Sequence, residues 1–132
     1  MIDKAGFYWG TGRRKTSVAR VRIREGTGAI LINKKGIGDF FPRERDRFVV
    51  CLPLKTTKCL EKYDVFVNVR GGGITGQAGA ASLGIARALL KSDQTLAESL
   101  RGESLLTRDS RMVERKKYGQ KGARKSFQWT KR

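Results

Sequence analysis

From residue 19 to residue 24 apolar and basic side chains alternate without a break, Ala19-Arg20-Val21-Arg22-Ile23-Arg24. A period of two sets the apolar positions on one face of a β-strand and the arginines on the other. The stretch from 7 to 33 reads as strands throughout. Glu25-Gly26-Thr27-Gly28 supplies a glycine-rich connection, and Ala29-Ile30-Leu31-Ile32-Asn33 follows as the partner strand of a hairpin. After Gly36-Ile37-Gly38 the spacing changes: Phe41, Arg45, Phe48 and Leu52 fall on one stripe of a helix, with Val49 beside it, that ends near Pro53. Val65, Val67 and Val69 alternate with Phe66, Asn68 and Arg70, a β-branched strand that stops at Gly71-Gly72-Gly73.

Beyond the glycines, Ala81, Ile85, Ala88 and Leu89 recur at helical spacing, which predicts a helix over about 75–90 packed on the sheet. Its small residues permit close approach. Asp93 or Thr95 caps a last helix, with Thr95-x-x-Glu98 similar to a capping box and Leu96 and Leu100 facing inward. Strands and helices together predict an α+β sandwich around one core, which is what 132 residues can support.

Charge changes this picture most after Thr107. Residues 108–132 carry ten cations, Arg108, Arg111, Arg115, Lys116, Lys117, Lys121, Arg124, Lys125, Lys131 and Arg132, against Asp109 and Glu114. That is +8 of a total of +17, in under a fifth of the chain. Met112, Val113, Tyr118, Phe127 and Trp129 are too few to offset an ordering entropy of about 1 to 2 kcal/mol per residue. The chain therefore divides into a globular part, 1–107, and an extended basic tail, 108–132, disordered when free.

With 29 Lys and Arg against 12 Asp and Glu, the partner is a polyanion. An anionic membrane fits the sign of the charge, but no run approaches the roughly 18 apolar residues of a span, and no basic helix carries a bulky apolar face. Nucleic acid is favoured. The start, Met1-Ile2-Asp3-Lys4-Ala5-Gly6, lacks the charged and apolar regions of an export signal, so a cytoplasmic location is expected. Cys51 and Cys59 read as reduced thiols, Cys51 packed on a helix. The sequence has no histidine, which removes Ser-His-Asp and Cys-His chemistry and the usual completion of a zinc site. No catalytic residue, metal or cofactor is expected.

Gly71-Gly72-Gly73-Ile74-Thr75-Gly76 fits G-x-G-x-x-G between a strand and a helix. No second βαβ unit remains to make a dinucleotide fold, and Gln77-Ala78-Gly79 offers no lysine for a phosphate loop. Two readings stay open. The glycines permit a tight turn, or the helix-start amides hold an RNA phosphate, aided by Arg70 and Gln77. Arg13-Arg14-Lys15 and the face of Arg20, Arg22 and Arg24 form a second cationic region. In the tail, Tyr118, Phe127, Gln128 and Trp129 add planar groups able to stack on bases or sugars.

Gly10-Thr11-Gly12-Arg13-Arg14-Lys15-Thr16-Ser17-Val18-Ala19-Arg20 resembles the opening signature of the bacterial-type small-subunit ribosomal protein nine family. Val69 to Gly73, Gly76-Gln77, Gly84 to Leu89, Leu106 to Lys117 and the terminal Lys131-Arg132 resemble its later blocks in the same order. The resemblance implies a small mixed four-stranded sheet packed with helices, of the ribosomal protein five domain-two-like kind, with a left-handed βαβ crossover against the usual rule. It also implies the partners: ribosomal RNA and neighbouring proteins in the head of the small subunit, and the peptidyl-site transfer RNA.

The cations and loop residues Arg13, Arg14, Lys15, Arg20, Arg70, Gln77, Arg108, Arg111, Arg115, Lys116, Lys117, Lys121, Arg124 and Lys125, read above as nucleic-acid contacts, are then expected on ribosomal RNA, and the resemblance places Gln128, Lys131 and Arg132 on transfer RNA. The chain departs from the family at Lys125-Ser126-Phe127-Gln128-Trp129-Thr130, where an arginine-rich stretch, a proline and a smaller aromatic are usual. A ribosome, cytoplasmic or organellar, is the expected location. Two other classes fit less of the chain: the protein subunit of an RNA-processing ribonuclease, and a nucleotide-dependent enzyme using the glycine loop.

Overall fold

The computed structural model describes residues 6–102 and 105–106. The basic tail over 108–132, and every site residue expected on it from Arg108 to Arg132, lies outside the described residues, as does its boundary with the globular part.

The elements in chain order are β1 (Tyr8–Arg14), β2 (Ser17–Glu25), β3 (Ile30–Ile32), β4 (Lys35–Gly36), α1 (Ile37–Phe40), α2 (Glu44–Thr56), β5 (Tyr63–Arg70), α3 (Ile74–Ser92), a 3-10 turn (Gln94–Leu96) and α4 (Ala97–Gly102). The strands form one mixed sheet in the order β1-β2-β5-β3-β4. The α+β class expected from the pattern is what the chain adopts. The sheet has five strands rather than four, because Asn33 and Lys34 both take left-handed backbone, φ 50° and 68°. Such a turn fits the right-handed twist of flanking strands, and it folds Lys35 and Gly36 back onto Ile32 and Leu31.

The expected hairpin between 19–24 and 29–33 does not form. β2 pairs antiparallel with β1 and with β5, while β3 lies parallel on the far side of β5. The glycine connection crosses the end of β5 instead of making a hairpin, and Asp64 on β5 holds it there. One Asp64 oxygen accepts from the backbone N–H groups of Thr27, Gly28 and Ala29 at 3.0, 3.2 and 3.1 Å. Those bonds, the Ala29 and Thr27 amides foremost, hold the Asp64 carboxyl below its ordinary range. A depressed acid contributes stability that is complete above the ordinary value of about 3.9 and lost as pH falls through the lower folded value. Amide exchange at Thr27, Gly28 and Ala29 is therefore expected to accelerate in Asp64→Ala relative to the parent at neutral pH, the difference vanishing in strong acid.

Asn33 extends the parallel ladder by one rung beyond β3. Its backbone N–H donates to the Val67 carbonyl at 2.8 Å, and its side-chain amide both accepts from the Val69 N–H at 2.9 Å and donates to the Val69 carbonyl at 3.1 Å. An amide imitating a peptide unit thus pairs both backbone groups of Val69 beyond the end of β3.

One face of the sheet carries the core. Ala19, Val21 and Ile23 of β2 and Val65, Val67 and Val69 of β5 are buried under α3, as the alternation predicts. Along β1 the positions on this face are Gly10 and Gly12, and α3 lies directly on them. A Cβ at Gly12 would collide with the Ala80 carbonyl oxygen and the Gly84 nitrogen, and one at Gly10 with the Gly84 carbonyl oxygen and the Ala88 nitrogen. Ala80, Gly84 and Ala88, spaced by four, form the facing stripe of the helix.

α2 packs beside α3, but not on the expected stripe. Its buried residues are Asp46, Val50, Pro53 and Leu54, while Phe48 is 52% exposed. An aspartate on the inward stripe and a phenylalanine on the outward one invert the hydrophobic pattern from which that stripe was expected. The helix does end near Pro53, but it takes in the proline and three residues beyond it, despite the missing N–H and the crowding of the ring against the preceding turn. The helix runs to Thr56 and closes where Thr57 donates its backbone N–H and its Oγ1 to the Pro53 carbonyl. Asp93 caps the 3-10 turn by accepting from the Thr95 N–H at 3.0 Å, and Leu100 is buried as expected.

Candidate nucleic-acid interface

Two glycines and one hairpin turn set the geometry at the end of the molecule where β2 begins and β5 ends. Gly71 and Gly72 are consecutive left-handed residues, φ 79° and 65°, a conformation that side chains resist. They swing the chain from β5 to α3 close against the β1–β2 turn. A Cβ at Gly71 would lie 2.7 Å from the Thr16 carbonyl oxygen, and one at Gly72 would strike Ser17 Oγ. The buried Ser17 hydroxyl donates to the Gly71 carbonyl at 2.9 Å, and Gln77 Nε2 donates to the same oxygen at 3.2 Å. Turn and loop are thus fastened to one another.

Between them opens a cleft of about 490 Å³ that reaches from Lys15 and Arg43 to the first turn of α3. Gly73 begins α3 without a side-chain cap, and no acidic residue lies in the first turn. The first intrahelical bond runs from Gln77 N–H to the Gly73 carbonyl, so the amides of Ile74, Thr75 and Gly76 have no partner within the helix. Unpaired amides at the positive end of a helix dipole, with two cations opposite, are suited to an anion.

A second depression is lined by the residues that follow Ser17 and precede Gly71 along their strands. It holds about 190 Å³ on the sheet face away from α3 and is lined by Val18, Arg20, Asn68, Val69 and Arg70. That face carries Phe7, Trp9, Thr11 and Arg13 from the β1 side, Arg20, Arg22 and Arg24 from β2, and Phe66, Asn68 and Arg70 from β5. Arg22 lies over three rings, with its Cζ 4.8 Å from the centroid of Phe7, 5.0 Å from Phe66 and 6.0 Å from Trp9. Phe7 and Phe66 meet edge to face at 5.9 Å across β2. Arg20 sits 5.4 Å over Trp9. Asp64, the acid at the edge of this face, is already engaged by the loop amides.

The structure separates residues that the sequence grouped. Arg13 and Arg14 sit on opposite faces of β1: Arg13 is exposed on the cationic face, while Arg14 lies along α3 with its guanidinium near Gly79. Lys15 stands at the apex of the turn with φ 53° and lines the cleft. Arg20 and Arg70 meet at the second depression, so Arg70 does not flank the helix start as expected. Gln77 does border it, where its amide holds the loop. Three contributors were not expected from the sequence. Arg43 reaches the cleft from the start of α2, which no local pattern foretells. Trp9 and Phe66 were legible as aromatics out of phase with the buried positions of their strands.

Among the described residues no group of His, Cys, Asp and Glu side chains is placed to hold a metal ion, and no helix is long and apolar enough to cross a membrane. The profile of the family described as Ribosomal protein S9/S16 matches residues 12–132. Among curated relatives, "Small ribosomal subunit protein uS9" of Treponema pallidum subsp. pallidum is 57% identical over 123 residues, covering 93% of this chain and 95% of the relative. The protein of the same description from the Nichols strain of Treponema pallidum gives the same figures.

Proposed function

Because the chain belongs to the Ribosomal protein S9/S16 family, we propose that it is a structural constituent of the small ribosomal subunit whose cationic end lies on ribosomal RNA and whose tail reaches the peptidyl-site transfer RNA. It is a ribosomal protein and not an enzyme, which displaces the readings as a ribonuclease subunit and as a nucleotide-dependent catalyst. The observation that carries the RNA contact is the joining of Lys15 and Arg43 to the uncapped start of α3 in one cleft. A backbone phosphate there receives amide hydrogen bonds and two cations, while Arg13, Arg20 and Arg70 track the strand over the sheet face. Arg14 and Gln77 support this arrangement from within, Arg14 against α3 and Gln77 on the glycine loop.

The tail extends the same chemistry. Arg108, Arg111, Arg115, Lys116, Lys117, Lys121, Arg124 and Lys125 neutralise ribosomal RNA phosphates in the head of the subunit, where neighbouring proteins share the site. Gln128, Lys131 and Arg132 are left for transfer RNA, with the Arg132 guanidinium suited to bidentate contact with a phosphate. The βαβ crossover is the parallel pair β3 and β5 joined through α1 and α2, for which the family implies the left-handed sense. The ribosome in question is cytoplasmic or organellar.

Deleting Lys131 and Arg132 is expected to leave the protein folded and incorporated while weakening peptidyl-site transfer RNA by about 1 to 3 kcal/mol, the range of one dominant charged contact. Filter binding of transfer RNA to reconstituted subunits measures it. Unchanged affinity would remove the terminus from the transfer RNA site.

A further inference from the structure

The two halves of the open sheet face differ. Toward the Glu25 end the arginines sit among several rings: half-buried Arg22 is flanked by Phe7, Trp9 and Phe66, and Arg24, though exposed, lies 5.3 and 5.8 Å from Phe7 and Phe66. Toward the glycine loop Trp9, which Arg22 also reaches, supports the Arg20 guanidinium, and beyond it lies the 190 Å³ depression. Asn68 sits across from Arg20 in the β2–β5 register, and Arg70 closes the far side. Among the described residues no acidic side chain lines the space.

We infer that this depression receives a single unpaired nucleobase of RNA, stacked on the Arg20 guanidinium held over Trp9 and met at its edge by the Asn68 amide. The inference rests on the reading of this face as an RNA surface and specifies how that surface chooses its RNA. Three features point to a base rather than to phosphate alone. A guanidinium carried on an indole presents a plane, which stacks on a nucleobase, whereas a phosphate needs only charge. A primary amide offers a donor and an acceptor side by side, the complement of a base edge and a poor partner for an anion. The cleft with Lys15 and Arg43 is the part of this end assigned above to a phosphate, so the depression is left for the base. A base inside a helix is stacked on its neighbours and its pairing edge is engaged, so duplex RNA does not fill this site.

The full chain is tested by fluorescence anisotropy against two probes of equal length and charge, a short oligoadenylate and its abasic counterpart. The parent is expected to prefer the base-bearing strand. Arg20→Lys, which keeps the charge and loses the plane, and Asn68→Ala are each expected to lower the ratio of base-bearing to abasic affinity about five- to tenfold, the scale of one base stack. Both residues are exposed, so the melting midpoint should not move. Stacking by the tail aromatics is common to parent and variants and cancels in the comparison. A preference unchanged in both variants, or an equal loss on both probes, overturns the inference while leaving RNA binding intact. A parent that binds neither probe overturns the RNA reading itself.

Discussion

Gly12→Ala is expected to be the most damaging single methyl group that can be added to this protein. The new Cβ would meet the Ala80 carbonyl oxygen and the Gly84 nitrogen, both backbone atoms of α3 that no rotamer change can move aside. Overpacking of cores costs about 1 to 3 kcal/mol where side chains can adjust. Here the helix itself must lift, so about 3 kcal/mol or more is expected, against a total stability of about 5 to 15 kcal/mol for a domain. Thermal unfolding followed by circular dichroism should show a midpoint lower by about 10 °C or more. Gly38→Ala, where a Cβ meets nothing within 4 Å, is the matched control and should leave the midpoint within a few degrees. Lifting α3 also parts its first turn from the β1–β2 turn, so RNA affinity in Gly12→Ala should fall with stability.

The packing of α3 on β1 illustrates what the sequence could and could not convey about the fold. Strand alternation at Ala19 to Arg24 and Val65 to Arg70, and the helical recurrence of Ala81, Ile85, Ala88 and Leu89, follow from burial on one face, so each is readable along the chain. Pairing is not readable in this way. The glycine link from β2 suggested a hairpin because neighbours in sequence usually pair, yet the three amides of Thr27, Gly28 and Ala29 bind Asp64, a residue far along the chain. The register of α2 was lost for a similar reason. Asp46 occupies a buried position and Phe48 an exposed one, where Lys55 lies 5.0 Å over its ring. Hydrophobicity alone therefore pointed to the wrong stripe.

Truncation after Thr107 is expected to have the largest effect on RNA binding. The deletion removes ten cations and two acids, almost half of the net charge. It keeps Leu105 and Leu106, which pack against the core, so the melting midpoint should be retained. With six to ten phosphates neutralised by the tail, the affinity of the full chain for ribosomal RNA should fall by roughly 10³ to 10⁵ between 50 and 200 mM salt. In the truncated chain the log-log slope should be shallower by about 0.7 to 0.9 for each phosphate that the tail no longer neutralises. A truncated chain with the same slope would show that the globular part carries the electrostatic contact.

The site was legible in composition and only partly in place. Charge excess identifies a polyanion partner wherever the cations lie, and the ordered blocks from Gly10 to Lys117 identify the family. Position depends on the fold. Arg13 and Arg14 are adjacent in sequence and on opposite faces of β1, while Arg20 and Arg70, on separate strands far apart in sequence, line one depression. Arg43 joins Lys15 only because α2 starts beside the glycine loop. Trp9 and Phe66, not expected at the site, were nonetheless visible on the polar phase of their strands. An aromatic there is unexplained by burial in the core.

Site-directed photocrosslinking from position 16 in intact small subunits tests the central claim most directly. Thr16 is exposed at the tip of the β1–β2 turn, between Lys15 and Ser17, and it lines the cleft without carrying charge. A photoreactive side chain placed there should crosslink to small-subunit ribosomal RNA at one confined stretch of nucleotides. Crosslinks to protein alone, or spread without preference over the RNA, would contradict the account.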